Sequence, residues 1–182
     1  MTAAGHVTEP SHAGPSWPWL TCAAEMAALS CPGLLWPSQR PSAQPRFPRV
    51  ATRSAGDLAS VAAARGFARS TLQRWGLAAR GDDVTIVVSE LLSNALRHAR
   101  REPGGWPVRL GLLEIWPSAA VLCAVADPSP APPILGQADD LAESGRGLHV
   151  VDEFSDRWGY TTTGHRGKVV WAAFGSSRGW RQ

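Results

Sequence analysis

Between Leu58 and Trp75, the residues Leu58, Val61, Ala62, Arg65, Ala68, Leu72 and Trp75 recur three or four places apart, the spacing of one helix face. Asp57 stands where an N-terminal cap belongs, and Gly76 stands where the helix must stop. The same period resumes after Gly81, with Asp82 or Asp83 near the cap, and predicts a second helix running to about Arg100. Pro103, Gly104 and Gly105 break it. Residues 106–116 and 119–127 then read as two apolar strands joined at Pro117 and Ser118. The run 127–144 is too rich in proline for a regular element, whereas 148–156 restores a short helical pattern just after Gly145, Arg146 and Gly147. Strands over about 156–162 and 167–174 complete the series.

The second helix sorts its polar groups by angle. At about 100° per residue, with Glu90 at zero, Arg97 falls near −20°, Arg101 near +20°, Asn94 near +40° and His98 near +80°. Val88, Leu91, Leu92, Ala95, Leu96 and Ala99 fill the opposite side, an apolar face wide enough to be buried. Periodicity alone leaves two readings of the stripe: a solvated surface, or the floor of a site in which Glu90 and Asn94, one turn apart, address one ion or one water.

The order helix, helix, strand, strand, loop, helix, strand, strand predicts an α/β (α+β) fold, a two-layer sandwich of helices on a mixed, largely antiparallel sheet. Its expected extent is 54–175. Residues 1–53 read as a proline-rich irregular extension, since eight of the 15 prolines and only five charged residues lie in the first 50. A short helix over Thr21–Leu29 is the one element that fits there, and Trp17, Trp19 and Trp36 offer docking points. Residues 176–182 read as a tail.

Composition narrows the function classes. The chain has 182 residues, a formal charge of +3 and 44% apolar residues, enough for one core. Its 18 basic residues, all Arg except Lys168, are spread without a dense block, which argues against nucleic acid as a partner. Cys22, Cys31 and Cys123 show neither zinc-site spacing nor a disulfide framework. The pattern predicts a cytosolic chain with no membrane segment.

Two further segments carry candidate chemistry, each with a plain alternative. Asp127 ends an apolar strand, where a carboxylate accepts a hydrogen bond from an exocyclic amine or simply opens a turn. Gly145-Arg146-Gly147 precedes a helix, leaving backbone N–H groups at its positive end for a phosphate. Such a glycine pair is weak evidence alone.

In order and spacing, VVSELLSNALRHA, VADPS, ESGRGLHVVDEFSDRWG and GKVVWAAF together resemble the ATP-binding domain of the anti-sigma-factor serine/threonine kinases, a histidine kinase-like ATPase domain with the Bergerat-type fold shared by gyrase, Hsp90, histidine kinases and MutL. The resemblance covers about 54–175 and is closest to small actinobacterial members. It implies ATP and Mg²⁺ as ligands, Glu90 as general base, Asn94 as the Mg²⁺ ligand, Asp127 as the adenine contact, and Gly145, Arg146 and Gly147 beside the triphosphate, with 128–144 as a lid. Arg97 faces phosphate or solvent, and His98 matches a histidine of the first motif whose simplest reading is structural. It also implies an anti-anti-sigma substrate and a sigma factor as partners, and it admits a homodimer. Two departures stand out: prolines at 128, 130, 132 and 133 replace glycines, and Lys168 stands where relatives often have a Thr that helps bind adenine through water.

Four functions follow as expectations. The first is a serine/threonine kinase. The second is a nucleotide-responsive protein-interaction module with little catalysis. A histidine-kinase core lacks the long dimerisation helix before residue 54, and DNA binding comes last.

Overall fold

The computed structural model describes residues 6–8, 18–30, 50–99, 107–115, 118–134, 146–162 and 167–175. Strands β1 (His6–Thr8), β2 (Val50–Ala55), β3 (Val108–Ile115), β4 (Ala120–Asp127), β5 (Arg157–Thr162) and β6 (Lys168–Phe174) form one sheet in the order β1-β2-β3-β4-β6-β5. The helices are α1 (Pro18–Ser30), α2 (Ser60–Trp75), α3 (Gly81–Ala99) and α4 (Gly147–Phe154), with a 3₁₀ turn over Ala78–Arg80 leading into α3. Each strand pairing is antiparallel, so the mixed element of the expected sheet is not found among the described strands.

The predicted helices form, but the buried face of α2 runs through Ala64, Ala68, Thr71, Leu72 and Trp75, while Leu58, Ala62 and Arg65 of the expected face are exposed. Asp57 precedes α2 by a turn, and its Oδ1 accepts from Ser60 N at 2.8 Å while Asp57 N donates to Ser60 Oγ at 3.2 Å, a reciprocal N-terminal clasp. At the other end Gly76 takes φ +73°, and the Leu77 N–H donates back to Leu72 O at 2.9 Å, a left-handed stop that a side chain would strain. On α3, Val84, Val87, Val88, Leu91, Leu92, Ala95 and Leu96 are buried. They pack with Leu72 and Trp75 of α2, Val151 of α4 and the inward residues Leu110, Leu112, Cys123, Val125, Val170, Ala172 and Phe174 of the sheet.

The opposite face of the sheet is covered too. Residues 18–30, within the expected irregular extension, contain the short helix expected over Thr21–Leu29. They form α1, whose Leu20, Ala23, Ala24 and Ala27 are buried against Leu113, Ile115, Leu122, Ala124, Ala126, Val169, Trp171 and Ala173. Two layers thus become three over this part of the sheet. Gly111 makes the close approach possible: a Cβ there would stand 2.7 Å from Leu20 Cδ1 and 2.8 Å from Trp19 Cη2. Trp171, expected near the core, belongs to this second cluster, while Trp75 and the half-buried Trp158 belong to the first. Trp17, Trp36, Trp106, Trp116 and Trp180 lie outside the described residues.

Candidate nucleotide site

Helix α3 is held by its apolar face, so its polar stripe points away from the core, and α4 comes to meet it. A Cβ on Gly147 would lie 2.9 Å from Glu90 Oε2, 3.0 Å from Asn94 Nδ2 and 3.3 Å from Asn94 Oδ1. Glu90 and Asn94 therefore end within about one contact distance of the same point at the start of α4, and a side chain there would make both turn aside. Both are half-buried.

Two openings border these residues. One is a cavity of about 80 Å³ lined by Asn94, His98, Asp127, Gly147 and Lys168, with Leu91, Val125 and Leu148 behind them and Pro132, Pro133 and Ile134 at the edge. At about 30 Å³ of liquid volume per water it holds about three waters, less than a purine base occupies. The other is an open groove of about 610 Å³ between α2 and α3, lined by Ala62, Arg65, Gly66, Arg69, Asp82, Thr85, Ile86, Ser89 and Glu90. Asn94 lines the smaller space and Glu90 the larger one.

Asp127 lies at the end of β4, directly opposite Lys168 in the β4–β6 register. Side chains alternate along a strand, so Asp127 follows Cys123 and Val125 onto the α3 side of the sheet, as Lys168 precedes Val170 and Ala172. The two form a buried ion pair: Lys168 Nζ donates to Asp127 Oδ1 at 3.0 Å and to Ser129 O at 3.1 Å, and Ser129 N donates to the same Oδ1 at 2.9 Å. Burial pushes the Asp127 carboxyl up from its ordinary range, while Lys168, the Ser129 N–H and the nearby His98 pull it back. An Asp that opens a turn and an Asp that faces a pocket were alternatives in the sequence. Here it does both.

The remaining expected residues divide. His98 is exposed and lines the cavity near Asp127, outside the hydrophobic core. Arg97 is exposed and borders neither opening, and Arg146 is exposed at the cap of α4. Gly145 and the lid residues 135–144 lie outside the described residues. Pro132, Pro133 and Ile134 bring the first part of that segment to the cavity.

Sequence reasoning gave no role to Arg80, which fixes the frame around the site. Its guanidinium is buried, 2.9 Å from Asp156 Oδ2 and 3.4 Å from Asp83 Oδ2, and lies over the Phe174 ring at 5.6 Å. Asp156 Oδ2 also accepts from Gly175 N at 2.7 Å. The start of α3, the turn after α4 and the end of β6 are thereby tied together. A clue did exist in the GDD sequence beside an Arg, but nothing local pointed to Asp156.

Helices stacked over an antiparallel sheet, with a polar helix stripe, a strand-end carboxylate and a glycine at a helix start around one cavity, define a nucleotide-binding domain. Residues 55–174, well over half of the chain, match the family described as histidine kinase-like ATPase domain, and the chain belongs to that family. ATP is accordingly the nucleotide of its site. No curated protein matched the chain. No described helix is long and apolar enough to cross a membrane.

The donor set fits the ligands. Asn94 offers a neutral oxygen of the kind Mg²⁺ accepts, and that ion needs only one or two protein oxygens beside phosphates and water. Among the described residues no three His, Cys, Asp or Glu side chains cluster, so a magnesium ion here would rely on Asn94 and on the phosphates themselves. Gly147 adds no side chain of its own at the start of α4, where Glu90 and Asn94 already stand close to its Cα.

Proposed function

We propose that the protein is a serine/threonine kinase of the anti-sigma-factor type, acting on an anti-anti-sigma protein and holding a sigma factor inactive. The observation that carries this reading is the convergence of Glu90 and Asn94 on Gly147, with Asn94 lining the cavity and Glu90 the groove. The cavity, which must widen to admit it, is the place of the base of ATP in this reading, and the groove gives a protein hydroxyl a route to Glu90.

In this reading Asp127 accepts from the adenine amine, Asn94 is the magnesium ligand, and the α4 start faces the phosphates. The magnesium ion supplies charge neutralisation at the transferring phosphoryl group. Glu90 takes the proton of the Ser or Thr hydroxyl as its oxygen forms a bond to the γ-phosphorus, while the bond from that phosphorus to the ADP oxygen breaks. New charge on the substrate surface then weakens its complex. The reading implies a cytoplasmic protein and admits a homodimer.

One observation favours a second reading, a nucleotide-responsive interaction module without transfer: Asp127 is already engaged by Lys168. Phosphoryl transfer from labelled ATP with Mg²⁺ to a candidate anti-anti-sigma protein separates the two. The kinase reading expects label on Ser or Thr, lost in Glu90→Gln while ATP binding stays. Partner control that persists unchanged in Glu90→Gln would establish the module instead.

A further inference from the structure

Lys168 is 4% exposed in a strand otherwise made of Val, Trp, Ala and Phe. A buried ammonium is costly, and replacing a buried ion pair by apolar side chains is often neutral or stabilising, so packing alone gives no reason for a lysine at this place. Its surroundings supply one. An ammonium carries three N–H donors. Two of them are accounted for by Asp127 Oδ1 and Ser129 O, and the residue lines the same cavity as Asp127, Asn94 and His98. Both recorded bonds to the Asp127 carboxylate end on Oδ1. The cavity wall therefore carries a carboxylate with an ammonium fixed beside it.

We propose that Lys168 is a second base-reading residue, donating its third N–H to ring nitrogen N1 of adenine while Asp127 Oδ2 accepts from the neighbouring exocyclic amine. This rests on the ATP reading of the site and adds to it the way the base is read. Adenine offers a donor next to a ring acceptor, the complement of Asp127 beside Lys168. Hypoxanthine in the same pose offers the reverse: a carbonyl facing the carboxylate and an N–H facing the ammonium. Both contacts are then repulsive, and a site with unpaired buried polar groups rejects such an analogue strongly. The lysine thus makes the selection two-sided.

The test is titration calorimetry of the full chain with ATP, 1-deaza-ATP and ITP in Mg²⁺, repeated on Lys168→Met and Lys168→Gln with folding checked by circular dichroism. Wild type is expected to bind 1-deaza-ATP at least tenfold more weakly than ATP, and ITP at least a hundredfold more weakly. In Lys168→Met the ATP to 1-deaza-ATP ratio is expected to fall to about one, and Lys168→Gln, which keeps an N–H, to retain part of it. Equal wild-type affinity for ATP and 1-deaza-ATP overturns the proposal and leaves ATP binding intact, and that arm needs no variant to fold. A ratio that persists unchanged in folded Lys168→Met overturns it as well. Absence of binding by any of the three nucleotides overturns the ATP reading and the proposal together.

Discussion

Gly147 and Glu90 are placed so closely that a methyl group on the first would stand 2.9 Å from a carboxylate oxygen of the second. The obstructing atoms belong to the ends of flexible side chains, Glu90 and Asn94, so the fold can yield where the site cannot. For Gly147→Ala we expect a stability change within about 1 kcal/mol and a loss of ATP affinity of about tenfold or more, since the two side chains must turn aside. Thermal melting and calorimetry on the same sample check both halves.

The Asp127–Lys168 pair predicts a pattern of single and double variants. Asp127→Asn leaves Lys168 buried without its anion and is expected to cost about 3–5 kcal/mol, as breaking one side of a buried pair does. Asp127→Leu with Lys168→Met removes both charges and is expected to cost much less, or to stabilise. Urea unfolding of the three chains decides this. A double variant worse than the single would mean that the pair contributes net stability.

Helix α1 is held to the sheet chiefly by Leu20 and the alanines around it. Truncating Leu20, which is fully buried, is expected to cost about 2–5 kcal/mol. Gly111→Leu would push into Leu20 and Trp19 and is expected to lift α1 from the sheet. Faster amide exchange confined to α1 and to the sheet residues beneath it is the expected signature, with α3 unchanged.

Cys123 is fully buried in β4, and burial pushes its thiol from 9.0 up to about 12. The folded chain holds this proton more tightly than the unfolded one, so the stability this group contributes is complete below pH 9 and is lost as pH rises towards 12. The difference approaches roughly 4 kcal/mol across that window. Stability measured by urea at pH 8 and pH 10.5 is expected to drop about 2 kcal/mol more in wild type than in Cys123→Ala. Thiol reagents at pH 8 are expected to reach half-buried Cys22 and to spare Cys123 until the chain unfolds.

Much of the fold and part of the site can be read in the chain itself. The stripe of Glu90 and Asn94, the apolar face behind it, the ends of α2 at Asp57 and Gly76, and the apolar strands β3, β4 and β6 all follow from repeats of 3.6 or 2 residues and from local capping chemistry. These signals are short-range, and they held. Helix α1 was harder to read because its buried stripe is mostly alanine and one face carries exposed Leu29, so size and polarity barely distinguish inside from outside. The rest depended on contacts between segments far apart in the chain. Lys168 meets Asp127 only because β6 pairs with β4 in one register, and Arg80 finds Asp156 only once α4 has packed on α3. Gly147 closes on Glu90 and Asn94 by the same packing. Periodicity along the chain specifies which face of an element is buried. Which buried or half-buried groups then touch is set by register and helix placement, and that is decided only when the whole core closes.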